Sequence, residues 1–310
     1  MKSKKLLVIV LVIALLPEFI LFGASWYFSG LVVHFNKRTL EEDRKKLEIT
    51  GIEQFGLKEP ETISIELKDT TLKGWFFASE KPTKKCGVIL LHGISGTRFG
   101  AIKYAPIFLK RNCSILVYDA RRHGESSGEA NTYGHFESDD LLKVAEFFKT
   151  KTGLTSNQVG IFGESYGAAT SIIAASKSSE FAFVGADSPY QDLPTIIRER
   201  ALTLYGKFLL PIVPISLTLA GIRGGFEPDK VSPKESAKGI KIPVFLSHSE
   251  SDVYTLPYHS EAIFGNIPHE KKRFFKTDWG AAHAKSINTN RERYEKALAD
   301  FLNEFAPAFQ

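Results

Sequence analysis

The sequence predicts an α/β fold built on a doubly wound, mostly parallel sheet. Two patterns in the 310 residues support this prediction: short apolar runs alternate with longer helical segments, and a period-two pattern precedes them. Residues 62–67 and part of 72–77 alternate between polar and apolar side chains. With 68–71 as a turn, they predict an antiparallel hairpin that leads into the sheet.

The elements after the hairpin follow one another in strand–helix order. The predicted strands are 88–91, 115–118, 158–162, 182–186, 242–247 and 272–276, and the predicted helices lie near 100–111 and at 138–149, 165–176, 258–265 and 288–304. Such alternation implies right-handed crossovers and helices on both faces of the sheet. Ligands then bind beyond the carboxyl ends of the strands.

The first 33 residues form an apolar segment. Lysines at positions 2, 4 and 5 precede the uncharged run 6–16, and after Pro17-Glu18 a second run covers 19–33. As one helix, 6–33 would be about 42 Å long, more than the ~30 Å of a bilayer core. We therefore predict a single-pass membrane anchor over residues 1–38. A cleaved signal peptide is the alternative, but no small-x-small cleavage site follows the first run.

The charges around this segment bear on its orientation. The three lysines before the span predict a cytoplasmic N-terminus and an extracytoplasmic globular domain, although Lys37 and Arg38 follow the span closely. Residues 39–60 are predicted to be a juxtamembrane linker, charged and helical over 41–48, and 61–310 the globular domain.

An insertion is predicted at 188–240. It contains the amphipathic segment 195–200 and the nearly charge-free segment 208–215. These segments predict either a hydrophobic lid that admits an apolar chain and touches the bilayer, or helices packed on the domain for ordinary burial.

The segment Gly163-Glu164-Ser165-Tyr166-Gly167 follows an apolar strand and precedes a helix of small residues. A sharp strand-to-helix turn holds the serine in a strained conformation with its hydroxyl exposed, and the flanking glycines, Gly163 and Gly167, permit the close approach. The start of the helix places N–H groups where an oxyanion would form. This pattern predicts Ser165 as a nucleophile.

An acid and a histidine follow in the order that this architecture requires. Asp252 lies in the loop after the predicted strand 242–247, with Glu250 as the alternative acid, and His283 follows strand 272–276. A serine hydroxyl is a weak nucleophile until a neutral imidazole takes its proton. That imidazole needs a carboxylate to fix its tautomer and stabilise its cation.

The turn after strand 88–91 supplies the remaining part of such a site. It begins with His92 and Gly93, and we expect an oxyanion hole formed by the backbone N–H groups of Ile94 and Tyr166.

This constellation resembles the α/β-hydrolase superfamily, from about residue 60 to the C-terminus. The matching segments are Leu90–Gly93, Tyr118–Ser126, Gly163–Gly167, Asp252 and His283. In the family, the Asp-x-Arg-x-x-Gly-x-Ser segment braces the nucleophile turn, and here it contains Asp119 and Arg121. The chain most resembles bacterial hydrolases with an N-terminal membrane anchor, relatives of abhydrolase-domain lipases and depalmitoylases. In the family's acid loop, His-Gly-x-x-Asp, Ser249 replaces the glycine.

The resemblance implies a serine hydrolase that cleaves carboxylic esters or thioesters, from small molecules or lipids, through an acyl-enzyme. A serine peptidase or amidase of the same fold and a non-catalytic membrane-anchored binding module are the alternatives. We expect no cofactor, no metal site and no nucleic-acid partner, because the net charge of +5 is scattered and His34, His135, His248, His259 and His269 lack ligand spacing.

Two cysteines, Cys86 and Cys113, precede strands that the family places side by side. Cys86 lies six residues before His92, and Cys113 lies six residues before Asp119. The two cysteines are therefore at matching heights along the neighbouring strands. Two buried, reduced thiols are the expected state, and a disulfide bridge is the alternative if the Cα atoms are within about 7 Å.

Overall fold

A computed structural model of the protein describes residues 2–80 and 85–310, with side chains from residue 15 onward. The strands are β1 (Glu61–Glu66), β2 (Thr71–Phe77), β3 (Gly87–Leu91), β4 (Ser114–Tyr118), β5 (Val159–Glu164), β6 (Phe183–Asp187), β7 (Val244–Ser249) and β8 (Lys272–Thr277). The helices are α1 (Lys2–Val33), α2 (Leu40–Lys46), α3 (Arg98–Ala101), α4 (Ala105–Leu109), α5 (His135–Thr152), α6 (Tyr166–Lys177), α7 (Leu193–Tyr205), α8 (Val213–Gly224), α9 (Pro233–Ser236), α10 (Tyr258–Asn266), α11 (Ser286–Thr289) and α12 (Arg291–Phe305).

The strands form one eight-stranded sheet in the order β1-β2-β4-β3-β5-β6-β7-β8. β2 pairs antiparallel with β1 and β4, and the other pairs are parallel. Every residue of β3 to β7 is buried, because helices cover both faces. The edge strand β1 instead alternates between exposed and buried positions over most of its length. The predicted doubly wound, mostly parallel sheet is confirmed.

The helix predicted near 100–111 is instead three short pieces. α3 ends at Ala101, a 3₁₀ turn covers Ile102–Tyr104, and α4 begins at Ala105. Pro106 stands in the first turn of α4. Proline has no amide hydrogen to continue a preceding helix, so the helix restarts there.

The charged segment after the predicted anchor is tied to the domain by a buried carboxylate. α2 is the helix expected over 41–48, and it begins with a capping box between Thr39 and Glu42. Asp43 is 1% exposed and accepts hydrogen bonds from the amide and hydroxyl of Thr97, at 2.7 and 2.9 Å. This part of the expected linker is therefore packed against the loop that follows β3.

Helix α1 continues through Pro17 without a break. Two described helical segments, Leu15–Val33 and Lys207–Gly224, are long and apolar enough to cross a membrane, a property that the first shares with signal sequences. The second belongs to the predicted insertion, where α7 is followed by a 3₁₀ helix (Lys207–Ile212) and α8. α8 packs along α1, while Phe208 and Ile222 are 94% and 73% exposed.

The expectation of two reduced cysteines is wrong for this structure, which has a Cys86–Cys113 disulfide. The reason is strand register: β3 and β4 pair in parallel with Gly87 opposite Ser114, so the residues before them face each other. The two Cα atoms are 4.6 Å apart, well within bridging distance.

We expect the disulfide to stabilise the fold by about 3 kcal/mol, because it closes a loop with a sequence separation of 27 residues in the unfolded chain. Reducing it should lower the melting temperature by roughly 5–10 °C. The measurement is thermal unfolding of the detergent-solubilised protein with and without reductant. The Cys86→Ser, Cys113→Ser double variant is the control, and it should melt like the reduced wild type under both conditions. Equal melting of the wild type with and without reductant would contradict the prediction.

Candidate active site

Ser165 lies at the turn between β5 and α6. Its backbone has φ 50° and ψ −112°, a conformation that few non-glycine residues adopt. The flanking glycines allow the turn. A Cβ at Gly163 would lie 2.2 Å from the Gly167 carbonyl oxygen, and a Cβ at Gly167 would lie 2.7 Å from that of His92. The amide of Ser165 donates to the carbonyl of Asp187 at 2.7 Å, which fixes the turn against β6.

The three predicted reactive side chains come together. His283 Nε2 lies 2.8 Å from Ser165 Oγ, and His283 Nδ1 lies 2.6 Å from Asp252 Oδ2. Because the Asp252 carboxylate accepts the hydrogen on His283 Nδ1, His283 Nε2 carries no proton. This nitrogen can therefore accept the hydrogen of the Ser165 hydroxyl. The serine and the histidine are 118 positions apart in the chain, and the histidine and the acid are 31 apart.

Asp252 is held by several donors. Its Oδ1 accepts from the amides of Tyr254 and Thr255 at 2.9 and 3.0 Å, while Glu250 is exposed at the surface. Burial alone would raise the pKa of the Asp252 carboxyl, but hydrogen bonds from His248 and His283 outweigh it and hold this pKa below its usual range. Asp252 is therefore ionised near neutral pH.

His248 was expected to be an ordinary structural histidine, and its position was missed. Its Nε2 lies 3.2 Å from Asp252 Oδ2 and 2.8 Å from the carbonyl of Thr255, so this nitrogen carries the proton. Its Nδ1 accepts from Ser260 Oγ at 2.7 Å. The available signal was the His-x-x-x-Asp spacing of the acid loop, in which His248 is the first residue.

The serine that replaces the family's glycine in this loop has its own bond. Ser249 Oγ donates to the carbonyl of Ala281 at 2.6 Å and accepts from the amide of Ser251 at 3.2 Å. The substitution therefore joins the acid loop to the loop that carries His283.

The proposed oxyanion donors border the same cavity as the serine. Ile94, Tyr166 and Ser165 all line it. Tyr166 is the first residue of α6, so its amide has no partner within the helix. A Cβ at Gly93 would lie 3.6 Å from Ser165 Cβ, which places the turn after β3 directly beside the nucleophile.

Two imidazoles hold this turn. His92 Nε2 accepts from the amide of Ala120 at 2.9 Å and its Nδ1 donates to the carbonyl of Gly93 at 2.8 Å. His123 Nε2 accepts from the amide of Ser95 at 3.2 Å. Burial lowers the pKa of His123 well below its usual value, so the ring stays neutral and can accept this bond.

The expected bracing residues act at a distance from the nucleophile turn. Asp119 accepts from the amide and guanidinium of Arg98, at 2.8 and 2.6 Å, where α3 begins. Arg121 pairs with Asp140 on α5 at 2.7 Å and with Asp69 at 3.1 Å. No hydrogen bond among the described residues joins either side chain to residues 163–167, so both residues position the neighbouring loops.

A buried ion pair under the site was not predicted. Lys103, 6% exposed, pairs with the carboxylate of Glu164, the residue before the nucleophile. The same ammonium group donates to the carbonyl of Ala284 at 2.5 Å. Lys103 thereby connects the nucleophile turn to the histidine loop.

The serine opens on an apolar cavity of about 320 Å³, near the lower end of small-molecule sites. The insertion contributes much of its lining, and the rest comes from the end of α1, the turn after β3, Tyr133, the nucleophile turn and the acid loop. Arg200 is the one charged residue among the described residues that line it. Arg200 lies over the ring of Tyr254, 4.0 Å from its centroid, and that ring lies 4.9 Å from the ring of His283.

Two family models and several known proteins match the chain. The model of the prolyl oligopeptidase family matches residues 125–307, and that of the X-Pro dipeptidyl-peptidase (S15) family matches residues 36–210. YqkD of Bacillus subtilis is 31% identical over 285 residues, which are 89% of this chain and 91% of YqkD. YfhR of Salmonella typhimurium is 24% identical over 257 residues, 80% of this chain and 81% of YfhR.

Solved structures share the fold. The Pyrococcus furiosus esterase Pf2001 superposes with a TM-score of 0.67 at 21% identity, over 87% of this chain and 98% of that one. The acylaminoacyl peptidase of Pyrococcus horikoshii gives a TM-score of 0.63 at 19% identity, over 84% of this chain and 44% of that one. The matched families, the fold and the arrangement around Ser165 lead to one assignment: the chain belongs to the α/β-hydrolase superfamily of serine hydrolases, among the members that match the prolyl oligopeptidase family.

Proposed function

We propose that the protein is a membrane-anchored enzyme that cleaves carboxylic ester or thioester bonds in substrates with an apolar acyl group. The observation that carries this proposal is the hydrogen-bonded line Asp252–His283–Ser165, which ends at a cavity with apolar walls. An acyl chain loses water contact favourably in such a cavity, whereas a peptide backbone would leave its polar groups without partners there.

The proposed reaction has two halves. Ser165 Oγ attacks the carbonyl carbon while His283 Nε2 takes its proton, and the amides of Ile94 and Tyr166 stabilise the oxyanion. The tetrahedral intermediate collapses, and His283 returns the proton to the departing alcohol or thiol. Water then attacks the acyl–serine ester in the same manner, which releases the carboxylic acid and restores the serine.

We further propose that α1 anchors the enzyme with its catalytic domain outside the cytoplasm. Basic residues at the start of α1 support a cytoplasmic N-terminus. The Cys86–Cys113 bridge supports an oxidising compartment for the domain, since disulfides persist there and are rare in the cytosol. Lys37 and Arg38, which weighed against this orientation, are engaged within the domain: Lys37 donates to the carbonyl of Gly124 at 3.3 Å, and Arg38 pairs with Asp43 at 2.7 Å.

A serine peptidase or amidase is the second candidate, favoured by the match of residues 125–307 to the prolyl oligopeptidase family. The chemistry at Ser165 would be the same, with an amine as the leaving group. Turnover of an ester and of an amide that carry the same acyl group, measured on one preparation, separates the two candidates.

We expect Ser165→Ala to abolish labelling by a fluorophosphonate and to reduce ester turnover by several orders of magnitude, because the nucleophile is lost. Labelling followed by gel fluorescence and nitrophenyl ester hydrolysis measure the two effects. Ser216→Ala is the matched control, since Ser216 also lines the cavity but belongs to α8. Wild-type protein that does not label, or labels as well after Ser165→Ala, would favour a non-catalytic binding module.

We expect kcat/KM to rise with pH through neutrality, because only a neutral imidazole at His283 can accept the serine proton. The depressed pKa of Asp252 keeps this carboxylate ionised at neutral pH and on either side of it, so Asp252 adds no second inflection to the pH profile. The measurement is kcat/KM for a nitrophenyl ester between about pH 5 and about pH 9. A flat profile would be inconsistent with His283 as the base.

We expect Asp252→Asn to reduce kcat by roughly 10⁴-fold, because an amide favours the wrong tautomer of His283. Glu250→Gln is the control: this residue is exposed, and its replacement should leave kcat unchanged. Steady-state kinetics of the two variants measure the difference. The opposite result, a harmless Asp252→Asn and a damaging Glu250→Gln, would show that Glu250 is the acid.

A further inference from the structure

Helix α1 is longer than a membrane span. Its 32 residues extend for about 48 Å, whereas a bilayer core needs ~30 Å. The difference, about 18 Å, corresponds to roughly twelve residues at the C-terminal end of the helix. Burial changes at that point: residues 15–23 are all exposed, and burial begins at Ser25.

The buried residues of this terminal part lie on one face. Ser25, Ser29, Val32 and Val33 are each at most 6% exposed, and their spacing is that of one helical face. Trp26, Tyr27 and Leu31, which lie outside this face of the helix, are exposed. This part of α1 is therefore packed along one side against the domain. We call residues 25–35 the wall segment.

Contacts with the insertion at 188–240, which we call the lid, fix the wall segment. Arg223 of α8 donates to the carbonyl of Trp26 and to Ser29 Oγ, both at 2.9 Å, and its guanidinium lies 4.4 Å from the centre of the Trp26 ring. A Cβ at Gly30 would lie 3.2 Å from Arg223 Nη1. Glycine at this position therefore lets the arginine approach the helix backbone closely.

Contacts with the catalytic domain fix the end of the wall segment. The amide and side chain of Asn131 both donate to the carbonyl of Val33, at 2.9 and 3.0 Å. Arg122 donates to the carbonyl of Phe35 at 2.9 Å. The Phe35 ring lies 6.5 Å from that of Tyr166, next to the nucleophile.

Four side chains of the wall segment line the cavity that contains Ser165. They are Phe28, Leu31, Val32 and Phe35. Phe28 packs edge-to-face on Tyr205 of α7, with ring centroids 5.1 Å apart. Helix α1 and the lid are therefore in contact at this end of the cavity. From Val32 to Phe28 the wall extends about 6 Å along α1 towards its exposed part, and Phe35 lies at the end near the nucleophile.

We propose that the wall segment is one side of the acyl-binding pocket and determines which acyl chains the enzyme accepts. When the ester carbonyl is at Ser165, an unbranched acyl chain lies between α1 and the lid. The end of that chain points towards the bilayer, from which the substrate enters. This inference rests on the proposed esterase function. The X-Pro dipeptidyl-peptidase family match begins at residue 36, so the wall precedes the region matched to that family.

The test is the acyl-length profile of full-chain protein in detergent, measured as kcat/KM for nitrophenyl esters from acetate to palmitate. Leu31→Trp fills the pocket and should lower the ratio of kcat/KM for long esters to kcat/KM for short esters by at least tenfold. Each methylene group that can no longer enter the pocket lowers kcat/KM roughly fourfold (about 0.8 kcal/mol). Phe28→Ala opens the far end and should move the optimum to longer chains. Because the two kcat/KM values in each ratio come from the same preparation of one variant, a smaller fraction of folded protein lowers both equally and leaves the ratio unchanged.

Leu16→Trp and Phe19→Ala are matched controls, because they make the same replacements at exposed positions of α1, 54% and 71% exposed, that do not line the cavity. Both should keep the wild-type profile. Wall variants with an unchanged profile, or controls that shift as much as wall variants, would overturn this inference while the esterase function stands. Wild-type protein that neither labels with a fluorophosphonate nor hydrolyses any ester would instead refute the proposed function.

Discussion

β5 turns into α6 at Ser165 with the serine in a conformation of φ 50° and ψ −112°. Such a conformation costs about 1–3 kcal/mol and persists only where the surroundings enforce it. Here β6 holds the serine amide, and the absence of side chains at Gly163 and Gly167 lets the turn pass against the His92 carbonyl. The position of the hydroxyl, and with it the geometry at His283, depends on this turn.

The other parts of the site are loops, and polar side chains hold them to one another. Lys103 bridges the nucleophile turn and the histidine loop, and Ser249 connects the histidine loop to the acid loop. His92 and His123 hold the turn that carries Ile94. Both rings accept an amide hydrogen at Nε2, so each fixes a loop backbone directly.

Much of the fold could be predicted, since β3 to β7 are buried apolar runs separated by helices and recognisable turns. Ser165, His283 and Asp252 could be predicted because their types and chain order follow from the chemistry. Lys103 could not, since its role depends on Ala284, 181 positions away. The sequence places the wall segment within the predicted anchor 1–38, because an apolar residue such as Phe28 suits a lipid-facing and a cavity-facing position equally well.

The junction at Arg38, Asp43 and Thr97 has a consequence for how the proposed enzyme would sample its environment. In the proposed anchored enzyme, the capped helix α2 and the buried Asp43 follow α1 closely, so the domain would be held at a set height above the lipid surface. An active site held in this way would encounter the leaflet beneath it. Its turnover would then follow the surface density of ester in that leaflet.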